Sequence, residues 1–173
     1  PVLLSVWSFF LECYASSKGE ENMCTALSFK THDTYFGRNL DYDFSYGEKI
    51  AIVPRTHPFL FRNGTRLENH FSIMGVAHMD GDYPLYYDAI NDAGLGMAGL
   101  NFVGNAFYHK KSKTKTNVAS FELIPYILLQ AKSVKEATSL LEKIEVTDEA
   151  YSELFPPSAL HWLISDPEES IVL

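Results

Sequence analysis

From Thr25 to Phe102 the chain alternates short β-branched and aromatic runs with turn signals, and this constrains its fold more than any other feature. Thr25 to Lys30, Tyr35-Phe36, Lys49 to Pro54, Phe71 to His78, Tyr83 to Ile90 and Leu95 to Phe102 read as strands. Arg62-Asn63-Gly64-Thr65 holds the Asn-Gly pair of a tight turn, and Asn91-Asp92-Ala93-Gly94 turns the chain into Leu95. Several runs are apolar on both faces, as in Tyr83-Pro84-Leu85-Tyr86-Tyr87. That pattern predicts a sheet covered on both sides.

Helical spacing follows. Val118 to Ala131 reads as a helix with Asn117 as N-cap and a kink at Pro125. Ser133-Val134-Lys135-Glu136 is a capping box, and Val134, Ala137, Leu140, Leu141 and Ile144 continue at helical spacing. Pro156-Pro157 breaks the chain. Leu160 to Ser165 and Ser170 to Leu173 read as strands joined at Asp166-Pro167. The sequence stops within the apolar Ile171-Val172-Leu173, which predicts a truncated domain.

A chain of 173 residues is one domain or part of a larger one. Its net charge of −8 lacks the basic footprint of a nucleic-acid partner. No apolar run reaches the roughly 18 residues that span a bilayer, so no stable membrane insertion is expected. Val2 to Tyr14, followed by Ala15-Ser16-Ser17, resembles the apolar core of an export signal but has no basic region before it. The reading here is that residues 1–22 are a leader or upstream extension outside the fold. The polar Ser16 to Asn22 stretch separates it from a body beginning at Met23. The two cysteines, Cys13 and Cys24, are too few for a disulfide framework and suit a reducing compartment or a reactive thiol.

Gly94-Leu95-Gly96-Met97-Ala98-Gly99 has the form of a dinucleotide fingerprint, but a turn precedes it and a strand follows, so it reads as a hairpin strand. Asp41 to Tyr46 resembles a calcium loop without its sixth-position glycine. Asn63-Gly64-Thr65 reads as a turn rather than a glycan acceptor. Lys110, Lys111, Lys113 and Lys115 read as a solvated loop. His161 beside Trp162 reads as a packed core histidine, and no His/Cys pair has zinc spacing.

Cys24 carries the strongest chemical signal. If Met23 and everything before it is removed, Cys24 bears both a thiol and a free α-amine. The thiol is a nucleophile, and an amine with a pKa of about 7.7–8.0 is a base near neutral pH. Arg38 returns beside Cys24 if the first two strands pair as a hairpin. Asp41 is then placed to orient the α-ammonium.

Met23-Cys24-Thr25-Ala26, Phe36-Gly37-Arg38-Asn39-Leu40-Asp41, Phe44-Ser45-Tyr46-Gly47-Glu48, Tyr83-Pro84-Leu85-Tyr86 and Gly94 to Phe102 together resemble the choloylglycine hydrolase family. Its members include bile salt hydrolases and penicillin V acylase. The resemblance runs from Met23 to Leu173, through Phe121 to Pro125 and Leu160 to Ile164.

The resemblance implies an α+β fold, the four-layer αββα sandwich of N-terminal-nucleophile hydrolases, with residues 23–173 as its N-terminal half. It implies hydrolysis of glycine- or taurine-conjugated bile salts through a cysteine thioester, without a cofactor. Cys24 matches the nucleophile, and Arg38 and Asp41 the residues that hold it and its amine. Asn101 matches an oxyanion-hole residue, and Leu40 and Tyr46 positions that face the steroid. Asparagine at 101 is the bile salt hydrolase choice, where a tyrosine is typical of penicillin V acylase. A cytoplasmic homo-oligomer is implied for the full-length protein. The sequence departs from the family in its leader, in Val103 where a proline is usual, and in lacking the domain's second half. A non-catalytic remnant is therefore the alternative from another class, and penicillin V acylase, disfavoured by Asn101, is the alternative within the enzyme class.

Overall fold

The computed structural model describes residues 24–41 and 45–173. The leader expectation (residues 1–22), Met23 and the centre of the calcium-like loop lie outside the described residues. The elements are β1 (Thr25–Lys30), β2 (Thr34–Asn39), β3 (Lys49–Val53), β4 (Phe59–Leu60), β5 (Arg66–Leu67), β6 (Ile73–Asp80), β7 (Tyr83–Asn91) and β8 (Gly96–Asn101). They continue with β9 (Thr116–Ala119), α1 (Leu123–Leu128), α2 (Val134–Leu141), β10 (Ile144–Thr147), β11 (Leu160–Ser165) and β12 (Ser170–Val172). Six strands form one antiparallel sheet in the order β12-β11-β8-β7-β6-β3. The β1–β2 hairpin is a separate two-stranded sheet.

Side-chain alternation assigns the two faces of the large sheet. Ile73 and Ala77 of β6, Ala89 of β7, Met97 of β8, and Trp162 and Ile164 of β11 belong to the main core, together with Leu123, Ile127 and Leu128 of α1. Ala98 and Leu100 of β8 face the other way and pack with Cys24, Ala26, Phe36 and Leu163. The layers run helix, sheet, hairpin. Gly96 lets the hairpin seat closely, since a Cβ there would lie 2.9 Å from the Phe36 ring.

The expected double covering holds at β8, where Gly96 to Leu100 are all buried. It fails toward β3. Ile52, Met74 and Ile90 face one another across three strands on the hairpin side, and all three are exposed. The hairpin is too narrow to reach them.

The helix expected over 118–131 is corrected. Val118 and Ala119 belong to β9, which pairs in parallel with β10, and a 3-10 turn (Ser120–Glu122) leads into α1. Asn117 caps no helix. Its side chain brackets the preceding loop, accepting from the Ser112 N–H and donating to the Ser112 carbonyl. Pro125 lies in the first turn of α1, where a missing N–H costs no helical bond, so it causes no break. The capping box at Ser133 forms, with Ser133 Oγ accepting from the Glu136 N–H at 3.3 Å. Glu136 reaches back to the Lys132 N–H. Ile144 is not on this helix but opens β10.

Asp166 closes the last turn. One carboxylate oxygen accepts from the Glu168 and Glu169 N–H groups, and the other from the Val134 N–H at the start of α2. Among the described residues, no helix is long and apolar enough to cross a membrane.

Candidate active site

The β1–β2 register sets Ala26 opposite Arg38 and Thr25 opposite Asn39. The Thr25 N–H donates to Asn39 Oδ1 at 2.6 Å, which fixes the mouth of the hairpin. Cys24 stands one residue before this mouth, buried against Ala98 and Leu100 of β8.

Arg38 turns inward from β2 and is almost wholly buried, its side chain 3% exposed. Its Nη2 lies 3.5 Å from Cys24 Sγ and donates to the Gly99 carbonyl at 2.9 Å. Its Nη1 forms an ion pair with Asp88 Oδ2 at 3.5 Å. β7 and β8 pair at Asp88, Ala89 and Ile90. At the end of that pairing the guanidinium bridges the two strands, reaching the Asp88 carboxylate on β7 and the Gly99 carbonyl on β8. Burial pushes the Asp88 carboxyl above its ordinary value, against the opposing pull of Arg38 and the Val76 N–H.

A largely apolar cavity of about 300 Å³ opens from this point, lined among others by Arg38, Tyr46, His78, Tyr87, Phe155 and Trp162. His78 Nδ1 pairs with the Tyr46 carbonyl at 2.8 Å, and its ring packs on Phe155. Arg38 lines the cavity and touches the Cys24 sulfur.

The structure thus brings Cys24 and Arg38 together and places Tyr46 on the adjoining cavity. Asn101 ends β8 two residues beyond Gly99, opposite Leu160. Leu40 is half-buried just past β2. Asp41 is exposed beside it and is not part of the Arg38 cluster among the described residues. Sequence reading missed Asp88. An aspartate inside the apolar run Tyr83 to Ile90 is a buried charge in need of a partner, and that signal was present.

Other candidates fall into structural roles. Gly94 to Gly99 is a turn and strand, with Gly94 at φ 92° and no helix opening behind it. Asn63 Nδ2 donates to the Asn117 carbonyl, and Gly64 sits at φ 86° in the turn between β4 and β5. Lys110, Lys111 and Lys115 form ion pairs with Asp148, Glu149 and Glu145. His161 stacks on Phe102, and burial pushes its pKa down. The turn at Val103 closes without the proline, as the Asn105 and Ala106 N–H groups both donate to the Phe102 carbonyl. No cluster of three or more His, Cys, Asp or Glu side chains among the described residues is arranged to hold a metal ion.

Residues 24–173 match the family of linear amide C-N hydrolases, choloylglycine hydrolase family. The chain belongs to this family. The bile salt hydrolase/transferase of Lactiplantibacillus plantarum is 46% identical over 151 residues, covering 87% of this chain and 47% of that protein. A crystal structure of a conjugated bile acid hydrolase mutant from Clostridium perfringens superimposes with a TM-score of 0.79 at 33% identity, over 87% of this chain and 47% of that one. Penicillin V acylase from Agrobacterium tumefaciens shares the fold, with a TM-score of 0.59 at 19% identity. The chain spans about half the length of the curated relatives it matches. The helix, sheet and hairpin layers are accordingly part of the αββα sandwich of N-terminal-nucleophile hydrolases. Within this choloylglycine hydrolase domain, Cys24 is the first residue matched.

Proposed function

We propose that this chain supplies the nucleophile-bearing half of an enzyme that hydrolyses the amide bond of glycine- or taurine-conjugated bile salts. The observation that carries the proposal is Arg38 Nη2 at 3.5 Å from Cys24 Sγ, at the head of the first strand of the matched domain. The names of relatives supply the substrate class: proteins similar to this chain include a bile salt hydrolase/transferase and a conjugated bile acid hydrolase.

In this reading the domain begins at Cys24 once residues 1–23 are removed. The freed α-amine takes the thiol proton, and the sulfur attacks the amide carbonyl carbon. The tetrahedral oxyanion is held by the Asn101 backbone N–H. The C–N bond breaks, the amine leaves with the proton, and the acyl group remains as a thioester on Cys24. Water then attacks the thioester, releasing free bile acid and restoring the thiol. Arg38 places a positive charge where negative charge develops on sulfur. Asp41 orients the α-ammonium. Leu40 and Tyr46 face the steroid, and the apolar lining of the cavity beside Tyr46 supports that assignment. We extend the proposal to a cytoplasmic homo-oligomer.

The test is release of glycine from glycocholate by the purified protein and by its Cys24→Ala variant. Release by the first and none by the second supports the proposal. Equal release overturns it. A second reading is a chain that carries these residues without completing a site, and the open face at Ile52, Met74 and Ile90 favours it. Absence of release by a chain that begins at Cys24 supports that reading.

A further inference from the structure

Asp88 stands beside an irregularity in the sheet. Val76 faces Asp88 and Ala77 faces Tyr86, so Tyr87 is an extra residue with no partner on β6. Such a bulge re-aims the side chains beside it. Gly75 lets β6 and β7 approach closely next to it, since a Cβ there would lie 2.0 Å from the Asp88 carbonyl oxygen. Asp88 stands opposite Ala98, and Ala98 packs on Cys24. Regular alternation from Ile90 sets the Asp88 carboxylate on the hairpin side of the sheet, where the guanidinium arrives, and the bulge just before Asp88 lets Tyr86 turn to the main core.

That guanidinium has a fixed fork of donors. Nη1 meets Asp88, while Nη2 meets the Gly99 carbonyl and the Cys24 sulfur. Because the fork is planar, a partner on Nη1 limits how the group rotates and so where Nη2 points. Removing one member of a buried pair leaves the other charge uncompensated, which is strongly unfavourable.

We infer that Asp88 is a positioning residue, whose carboxylate, on the hairpin side of β7, orients the Arg38 guanidinium so that Nη2 faces the Cys24 sulfur. The inference deepens the proposed function and rests on it for its catalytic consequence. The geometry and the reactivity of Cys24 can be tested apart from catalysis.

Two effects of removing Asp88 have opposite signs. If Asp88 acted only as a negative charge near the sulfur, its loss would make the thiol more reactive. If it positions Arg38, its loss lets the cation move away and the thiol becomes less reactive.

The experiment measures the rate of Cys24 alkylation by iodoacetamide at pH 7, with the modified peptide located by mass. Asp88→Ala is expected to slow alkylation by roughly an order of magnitude. Arg38→Leu is expected to slow it equally, and the double variant no further, since the two act as one unit. Asp88→Glu, which keeps the carboxylate, is expected to recover part of the rate. Asp88→Asn keeps the shape of the side chain and serves where Asp88→Ala does not fold, with a loss between those of Glu and Ala. Alkylation in Asp88→Ala or Asp88→Asn as fast as in the unaltered chain overturns the inference. So does a double variant whose loss is the product of the two single losses. Glycocholate hydrolysis is measured on the same samples. If Cys24→Ala still releases glycine, the proposed function fails while the alkylation comparison continues to decide the role of Asp88.

Discussion

The Arg38 guanidinium lies 3.5 Å from the Cys24 sulfur although 14 positions separate the two residues in sequence. Three partners hold it there, and a lysine ammonium cannot serve all three in the geometry of a planar fork. In an active preparation, Arg38→Lys is expected to lower kcat/KM for glycocholate by about 10²-fold, the scale of a misplaced reacting group. A variant within twofold of the unaltered enzyme in a glycine-release assay would remove Arg38 from the mechanism.

Glu122 is a buried carboxyl that accepts from the Arg62 N–H and the Tyr83 hydroxyl on one oxygen. Burial pushes its pKa above the ordinary 4.5, against the opposing pull of Tyr83 and Arg62. Because the folded value is raised, the stability linked to its proton is fully present below the unfolded pKa. It is lost as pH rises through the folded one. Glu122→Gln mimics the neutral form. Its thermal midpoint is expected to gain on that of the unaltered protein as pH rises through this range. Glu122→Ala strands two donors and is expected to cost about 1–3 kcal/mol in denaturant unfolding.

Asp166 carries the opposite sign. Burial pushes its carboxyl up, but the Val134, Glu168 and Glu169 N–H groups overcome this and hold it below the ordinary 3.8. Its contribution is therefore present above the unfolded pKa and lost as pH falls through the lowered folded one. Asp166→Asn is expected to lose about 2 kcal/mol at neutral pH. Unfolding curves at successive pH values should show the difference shrinking toward strong acid.

Gly75 and Gly37 form a contrasting pair. An alanine at Gly75 would drive its Cβ to 2.0 Å from the Asp88 carbonyl oxygen, and overpacking of this kind costs about 1–3 kcal/mol. An alanine at Gly37 meets nothing within 4 Å and needs no left-handed backbone. It is expected to be neutral or to stabilise by about 0.4–1 kcal/mol. Equilibrium urea unfolding of both variants distinguishes them.

Much of this architecture was legible in local pattern. The strand at Thr25 to Lys30, the Asn63-Gly64 turn and the Ser133 cap follow from short-range chemistry, and all three appear where expected. Val118 was misread because a buried apolar run fits a helix and a strand equally. Only its pairing with Val146, far along the chain, decides between them. The same limit hid Asp88. Its partner Arg38 is 50 positions away, and the bulge at Tyr87 becomes visible only once β6 and β7 are in register. Arg38 itself was within reach of the sequence, because a hairpin returns it beside Cys24 at short range.

The measurement that bears most directly on Cys24 as an N-terminal nucleophile combines intact mass, N-terminal sequence and glycocholate hydrolysis on one purified sample. A chain that begins at Cys24, releases glycine and shows an acyl mass on the Cys24 peptide after acid quench is the expected result. Glycine release by a chain in which Cys24 is still joined to Met23 would contradict it, because the α-amine would not be free to act as base.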